Sequence, residues 1–425
     1  MGEYFLQMVW QKLWFDFREL KITKGESLQI LFPGYLNLNQ GPDFLEARIR
    51  INHQIITGPV EIHLKGDDWF KHQHHEDPGY STVVLHVVSE RGTMQAITQN
   101  GKLIPEIEIG ELISENARQK YDQLSRSISD LPCDGQLHLI PDSLRAEWLA
   151  QVWQERLHHK VEKWERLLNQ FEGDLHRVWL IQLGPLMGGP VNGPLFCHLL
   201  ESIPWRVMPK LRDNPDHLEA LLLGMGGFLY RTKERGYIAE LQSQWMFLKY
   251  KYNLKELTSP NWKYLRMRPI AFPEVRISLT AALWKVFQGP PTESHESLLF
   301  TSTLQASSYW ATHSRMGVIC KPRPIPTVGE NLRRLLWMNV WLPGILLRRK
   351  MAGKKSFSDF PNLKLPPEEN RITRRFQQAG MIANTAAEAQ ALIGLYKEYC
   401  SGHRCLNCAF GQWIIAPFDS IPEKK

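Results

Sequence analysis

The run Leu45-Glu-Ala-Arg-Ile-Arg-Ile51, Asn52-His53, Gln54-Ile-Ile-Thr57, Gly58-Pro59, Val60-Glu-Ile-His-Leu-Lys65 decides how the first part of the chain folds. Residues 45–51 alternate with the period of two that an extended backbone imposes. Ala47, Ile49 and Ile51 take one face, and Glu46, Arg48 and Arg50 the other. Asn52-His53 predicts a turn into a strand over 54–57, and Gly58-Pro59 predicts an interruption. Residues 60–65 then alternate again. Val60, Ile62 and Leu64 face the core, while Glu61, His63 and Lys65 share the opposite face, about 7 Å from one to the next.

Strand signals continue on both sides of this run. Residues 27–32 read as a short strand ended by Pro33-Gly34, and 82–89 (Thr-Val-Val-Leu-His-Val-Val-Ser) has the near-continuous apolar character of a central strand. Residues 94–98 and 103–109 flank Gln99-Asn100-Gly101-Lys102, and Asn-Gly between strands predicts a hairpin. Residues 4–15 read as a helix with a broad apolar face.

From position 143 the period lengthens. Leu144, Trp148, Val152, Leu157, Val161, Trp164, Leu168 and Phe171 predict one long helix stopped by Gly173. Helical patterns follow over 218–230, 238–252, 275–287 and 331–342, and residues 350–367 read as a loop. A last helix opens on Thr385 and Glu388, spaced as a capping box, and runs to Tyr399. The expected class is α+β: an N-terminal mixed β-sheet module with few helices over 1–115, a linker over 116–142, a long all-α region over 143–399 and a Cys-rich segment over 400–425.

Composition excludes several classes. With 43% hydrophobic and 22% charged residues in 425, the chain is globular and large enough for more than one core. The apolar run over 335–347 contains Asn339, Pro343 and Gly344 and is too short for a bilayer span, which takes about 20 residues. The opening Met1-Gly-Glu-Tyr-Phe-Leu-Gln lacks the positive region of a signal peptide. Six cysteines, three of them between 400 and 408, read as reduced thiols or metal ligands. A cytoplasmic protein without membrane association is expected.

Charge divides unevenly. Residues 1–115 carry 10 Lys/Arg against 16 Asp/Glu, whereas the remainder carries 41 against 28. Residues 321–355 alone hold nine basic side chains and one acid, Glu330. An acidic module beside a basic one would suit a metal site next to a phosphate-binding surface, with nucleic acid as partner; a solvated basic face is the plainer reading.

Six of the fifteen histidines (His53, His63, His72, His74, His75 and His86) fall within 34 residues, together with Glu61, Asp67, Asp68, Glu76 and Asp77. His86, inside the most apolar strand, must hydrogen-bond or ligate something. Asp43 opens one strand and Glu61 sits on the next, with His63 or Lys65 beyond it; this pattern suits Mg²⁺ or Mn²⁺ held by carboxylate oxygens, with a basic side chain orienting a water. His72, His75, Asp77 and His86 are further candidate ligands, and Zn²⁺ is an alternative ion. A satisfied polar network on a half-exposed sheet would need no metal, and His53 and His74 read as loop histidines facing water.

Pro42-Asp43 and Glu61-Ile62-His63, on a helix-strand-strand-strand order over residues 4–90, resemble the signature of the PD-(D/E)XK nuclease superfamily. The resemblance implies a metal-dependent phosphodiesterase with Asp43 and Glu61 as metal ligands. His63 stands where that motif carries Lys, so Lys65 would have to substitute. The alternative is a non-catalytic protein that binds nucleic acid or another protein and holds a structural metal. A second resemblance rests on Asn39-Gln-Gly-Pro-Asp-Phe44, Val60-Glu-Ile-His63, Asp68-Trp69, Leu85-His-Val-Val88, Arg266-Met-Arg-Pro269 with Phe272-Pro273, and Tyr399-Cys400 with Cys405-Leu-Asn-Cys408. Together these resemble an uncharacterised bacterial family, known only as a domain of unknown function, which implies a bacterial intracellular protein.

The spacing Cys400-x4-Cys405-x2-Cys408 offers three soft ligands for Zn²⁺ or an iron–sulfur cluster, with Cys133 or His403 as the fourth and Gly402 permitting the reversal between them. Three reduced thiols around a helix end is the plainer reading. Arg266, Arg268 and Arg276, around Pro269 and Pro273, could grip phosphates or pair with acids. The 15 tryptophans fall mostly on helical faces, where core packing explains them.

Overall fold

Seven strands of the first 108 residues form one mixed sheet in the computed structural model, which describes residues 2–214, 216–229, 236–258, 260–354 and 365–417. The chain divides into two units, Met1–Ala150 with Arg371–Ile382 and Leu392–Lys425, and Gln151–Asn370 with Ala383–Ala391.

The first unit opens with helix α1 (Glu3–Lys12) and strands β1 (Leu20–Lys21), β2 (Ser27–Phe32), β3 (Tyr35–Leu36), β4 (Phe44–Ile51) and β5 (Gln54–Lys65). A short helix, α2 (Asp68–Lys71), leads to β6 (Leu85–Glu90) and β7 (Glu106–Glu108). The order is β1-β2-β4-β5-β6-β7, with β3 beside β4. The pairs β2–β4 and β4–β5 are antiparallel, while β5–β6 and β6–β7 are parallel. Alternation in β4 is as the sequence predicts: Ala47, Ile49 and Ile51 are buried and Glu46 and Arg48 exposed.

Two strand expectations need correction. Gly58-Pro59 does not interrupt β5, which runs unbroken through 12 residues. Proline removes one ladder N–H, but β4 is irregular opposite it: the register shifts between Phe44 and Ala47, where Glu46 takes φ 58°. Pro59 still accepts from Val84 N at 2.9 Å through its carbonyl. The hairpin around Asn100-Gly101 is closed by Gly101 at φ 73° and by Lys102 O accepting from Thr98 N at 2.9 Å. Its arms shrink to an Ile97–Leu103 bridge, because at Pro105 the chain changes partner and gives its carbonyl to His86 N at 2.8 Å.

The face that carries Glu61 and His63 is covered as well. α1 packs over it through buried Phe5, Leu6, Val9 and Trp10, and α2 places the fully buried Trp69 edge-on to His63 at 6.4 Å. Helix α3 (Glu115–Ser125), inside the expected linker, and the long α4 (Asp142–Gln170), ended at Gly173 with φ 85°, follow.

Beyond α4 come α5 (Leu175–Glu201), α6 (Met208–Asp213), α7 (His217–Met225), α8 (Tyr237–Tyr252), α9 (Pro273–Phe287) and α10 (His295–Thr301). A small β8–β9 hairpin (His313–Arg315, Val318–Ile319) is the only sheet after residue 140 among the described residues. α11 (Glu330–Leu336) continues through a wide turn into α12 (Leu342–Met351), and α13 (Arg371–Gln378), α14 (Ala386–Leu395) and α15 (Ala409–Ile415) complete the chain. Tyr230 and most of the loop expected over 350–367 lie outside the described residues. α5 escapes the periodicity because Pro185, Pro190 and Pro194 punctuate it; Gly189 (φ 63°, ψ −168°) breaks it into two halves. The second unit's core is built on tryptophans, with Trp179 and Trp284 stacked at 5.4 Å and Trp341 edge-on to Trp179 at 5.8 Å.

Candidate metal centre

Parallel pairing sets Glu61 beside His86 and His86 beside Glu106 across three neighbouring strands. The consequence is a line of hydrogen-bonded side chains. Glu106 Oε2 lies 2.9 Å from His86 Nδ1, His86 Nε2 lies 2.9 Å from His63 Nδ1, and His63 Nε2 lies 3.1 Å from His72 Nδ1. A neutral imidazole donates from one nitrogen and accepts on the other. With Glu106 accepting, His86 donates from Nδ1 and accepts on Nε2 from His63 Nδ1. The Nε2 lone pair of His63 is then left facing the centre of the cluster. Burial, reinforced by the neighbouring imidazoles, pushes the His63 pKa down to about 2, so the ring is held in its neutral, ligating form.

His74 joins from the loop after α2. Gln73 at φ 62° turns the chain so that both flanking histidines reach the cluster, and Tyr80 stacks on His74 at 3.8 Å. His74 Nε2 is 3.3 Å from Glu61 Oε1, and His63 Nε2 is 3.6 Å from the same oxygen. His74 Nε2 is buried without a hydrogen-bond partner. Among the described residues, His63, His72 and His74 are the trio whose donor atoms all lie within 4.8 Å of one another. Donors around one ion with bonds of about 2.1 Å stand roughly 3.0–3.5 Å apart; His63–His72 at 3.1 Å and His74–Glu61 at 3.3 Å lie in that range, and His63–Glu61 at 3.6 Å just beyond it.

Asp43 and Glu61 brace each other across β4 and β5. Asp43 N donates to Glu61 Oε2 at 2.9 Å, and Ile62 N donates to Asp43 Oδ2 at 3.1 Å. Gln7 Nε2, from α1, donates to Asp43 Oδ1 at 2.8 Å. Glu61 thus spends one oxygen on the backbone and turns the other toward the histidines. Burial, then the charge of Glu61, pushes the Asp43 carboxyl up to about 7. Burial also raises the pKa of Glu3, which adjoins His72 and Glu61.

Other sequence candidates fall outside the cluster. Lys65 is exposed, 3.9 Å from Glu90. His75 lies 3.5 Å from Glu76 with its ring 5.1 Å from Phe70, Asp77 caps Gly79 N at 2.7 Å, and His53 is exposed in its turn. His74 reverses the expectation that it faces water. Glu106 was missed: its only signal is its place in a predicted strand, and pairing alone sets it beside His86.

Arg266 and Arg268 are exposed in the second unit, and Arg276 is half-buried, its guanidinium pKa lowered by that burial. The basic stretch over 321–355 is largely engaged. Arg333 Nη2 donates to Ser302 O at 2.9 Å and Arg348 to Pro291 O at 3.0 Å. Arg323 donates to Trp310 O and His313 O, Arg334 pairs with Glu330, Arg349 with Glu293 and Lys350 with Glu165. Lys355 lies outside the described residues.

A sequence profile described as a protein of unknown function, DUF2851, matches residues 3–371, taking in the whole donor cluster and ending before Cys400. The chain belongs to the DUF2851 family. No curated protein and no solved structure matches it. In this DUF2851 protein no helix among the described residues is long and apolar enough to cross a membrane.

Proposed function

We propose that this DUF2851 protein is a metal-dependent phosphodiesterase acting on nucleic acid, with the ion held by Glu61, His63, His72 and His74. The observation that carries the reading is that His63, His72 and His74 bring donor atoms within 4.8 Å of one another, while Glu61 Oε1 stands 3.3 Å from His74 Nε2 and 3.6 Å from His63 Nε2. Three imidazoles and one carboxylate are a softer set than Mg²⁺ takes, so Mn²⁺ or Zn²⁺ fits better. A bound ion would lower the pKa of a water and neutralise charge on a scissile phosphate. Glu106 and His86 hold the His63 ring, Asp43 and Gln7 hold Glu61 in place, and the exposed His72 marks the side open to a substrate.

Phosphodiester chemistry is favoured by Asp43, at the entry to β4, braced against Glu61 on the neighbouring β5, the pair of carboxylates that the nuclease resemblance implies. A second reading has support of its own. Four protein donors would complete a tetrahedral Zn²⁺ site, and closed sites of that kind are structural. Six-coordinate Mn²⁺ would keep two positions for water and a phosphate oxygen. Incubating the purified full chain with mixed DNA and RNA and Mn²⁺, with Zn²⁺ in parallel and Glu61→Ala as control, separates the two. Cleavage that disappears in Glu61→Ala supports the enzyme; bound metal with no cleavage in either ion sinks it in favour of the structural centre.

A further inference from the structure

The first unit carries a second group of potential ligands, built from two distant stretches of chain. Cys133, in the turn after α3, is buried, as are Cys400, at the end of the wide turn 396–400, and Cys408; Cys405 is half-buried. All are free thiols. The Cys133 turn is held by the C-terminal stretch and by α13. His403 Nε2 contacts Ser127 O at 2.8 Å, Arg371 pairs with Asp130 at 3.0 Å, and Arg375 reaches Ser129 Oγ at 3.1 Å and also Asp134. These contacts hold the Cys133 turn from both sides.

The reversal between Cys400 and Cys405 is made by His403 at φ 52° rather than by Gly402. With its Nε2 on Ser127 O and its ring exposed, His403 serves the turn and leaves the fourth position to Cys133. Beyond the reversal, α15 seats itself tightly: a Cβ on Gly411 would stand 2.2 Å from Cys405 O, so glycine is needed there.

Three of the four thiols are buried and the fourth is half-buried, so the group sits away from bulk water. Yet among the described residues no three of these sulfurs come within 4.8 Å of one another. One zinc ion with bonds of about 2.3 Å would draw four sulfurs to roughly 3.8 Å apart. The thiols are thus not drawn in as one zinc ion would draw them, whereas a polynuclear cluster binds each thiolate through a different metal atom and does not need that spacing.

A buried donor stands beside the cysteines without a partner. Trp148 lies edge-on to Tyr399, the neighbour of Cys400, at 5.3 Å, and its indole N–H is buried without a hydrogen bond. A thiol is a weak acceptor, whereas the negative sulfur of a metal-bound thiolate is a strong one.

We propose that Cys133, Cys400, Cys405 and Cys408 ligate an iron–sulfur cluster of the four-cysteine type, which fastens the C-terminal segment to the Cys133 turn. Four thiols bind as thiolates, and their protons go to solvent. The site is separate from the histidine centre and stands whether or not nucleic acid is cleaved.

The test is the metal and acid-labile sulfide content of the full-length protein purified without oxygen, or reconstituted anaerobically with ferric and ferrous iron in equal amounts and sulfide. The expected result is about four irons and four sulfides per chain for a cubane cluster, with a broad visible absorption that bleaches on reduction. Cys133→Ser should lose most of that iron, while Cys320→Ser in the second unit should keep it. Stoichiometric zinc without sulfide overturns the cluster. So do a reconstituted protein with neither metal nor sulfide, and a Cys133→Ser variant with full iron. If the Cys133→Ser chain fails to fold, the wild-type iron and sulfide content decides by itself.

Discussion

Glu106 Oε2 lies 2.9 Å from His86 Nδ1, and both residues are almost wholly buried, at 3% and 0% exposure. This contact sets the His86 tautomer and, through His86 Nε2, the nitrogen that His63 presents to the cluster. Replacing Glu106 by Gln lets either end of the amide meet His86 and removes that constraint. Partners of this kind behind a metal-bound imidazole contribute roughly 10- to 100-fold in affinity. Glu106→Gln should weaken Mn²⁺ or Zn²⁺ binding by that factor in titration calorimetry while keeping all four donors. An unchanged dissociation constant would show that the relay does not tune the site.

His74 and His75 are sequence neighbours with different fates. His74 Nε2 faces Glu61 Oε1 at 3.3 Å, whereas His75 faces Glu76. An ion that binds only the folded chain stabilises it by about 2.7 kcal/mol at a hundredfold excess over its dissociation constant. Thermal unfolding with and without Zn²⁺ should show a metal-dependent rise for wild type and for His75→Ala, and little or none for His74→Ala. Equal rises in both variants would remove His74 from the ligand set.

Glu274 is 1% exposed in the second unit; its Oε1 accepts from Tyr264 OH at 3.0 Å and faces Arg315 at 3.6 Å, while Oε2 is buried without a partner. Burial, only partly offset by these partners, raises its pKa above the ordinary value of 4.5. The native state therefore holds a proton that the unfolded chain has released, and stability falls as pH rises between the unfolded and the folded pKa. Glu274→Gln carries no such group. Its melting temperature relative to wild type should improve as pH is raised from 4 to 8; a difference independent of pH would mean that Glu274 ionises freely in the fold.

Gly110 follows β7, where an added Cβ would lie 2.0 Å from Ser89 O. That oxygen belongs to the backbone of β6 and has little room to yield. Gly110→Ala should cost about 1–3 kcal/mol, read from denaturant unfolding. Gly2→Ala, with nothing within 4 Å of the new carbon, should be close to neutral.

Local periodicity determined much of this molecule without any tertiary contact. Ala47, Ile49 and Ile51 report a strand with one apolar face, and the spacing from Leu144 to Phe171 reports the helix that ends at Gly173. Thr385 and Glu388 cap α14 as their spacing implies, Thr385 Oγ1 accepting from Glu388 N at 3.2 Å and Glu388 Oε2 accepting from Asn384 N at 2.8 Å. These features depend on neighbours a few residues away, which is why they are legible in the chain. The density of histidines and acids between positions 43 and 86 likewise marked where to look.

Which of those side chains meet was decided by contacts that sequence spacing does not encode. Parallel pairing of β5, β6 and β7 aligned Glu61, His86 and Glu106, residues up to 45 positions apart. A positive φ at Gln73, which no periodicity foretells, turned His74 inward and left His75 against Phe70. Pro59 stayed in its strand because β4 is irregular opposite it, and α5 tolerates three prolines because Gly189 breaks it into two halves. The turn that carries Cys133 met the segment of Cys400, Cys405 and Cys408, more than 260 positions away, only through a tertiary contact, His403 Nε2 on Ser127 O. Strands and helices follow from short-range sterics and apolar spacing; which distant side chains meet follows from pairing register and loop dihedrals, which are settled only when the whole unit packs.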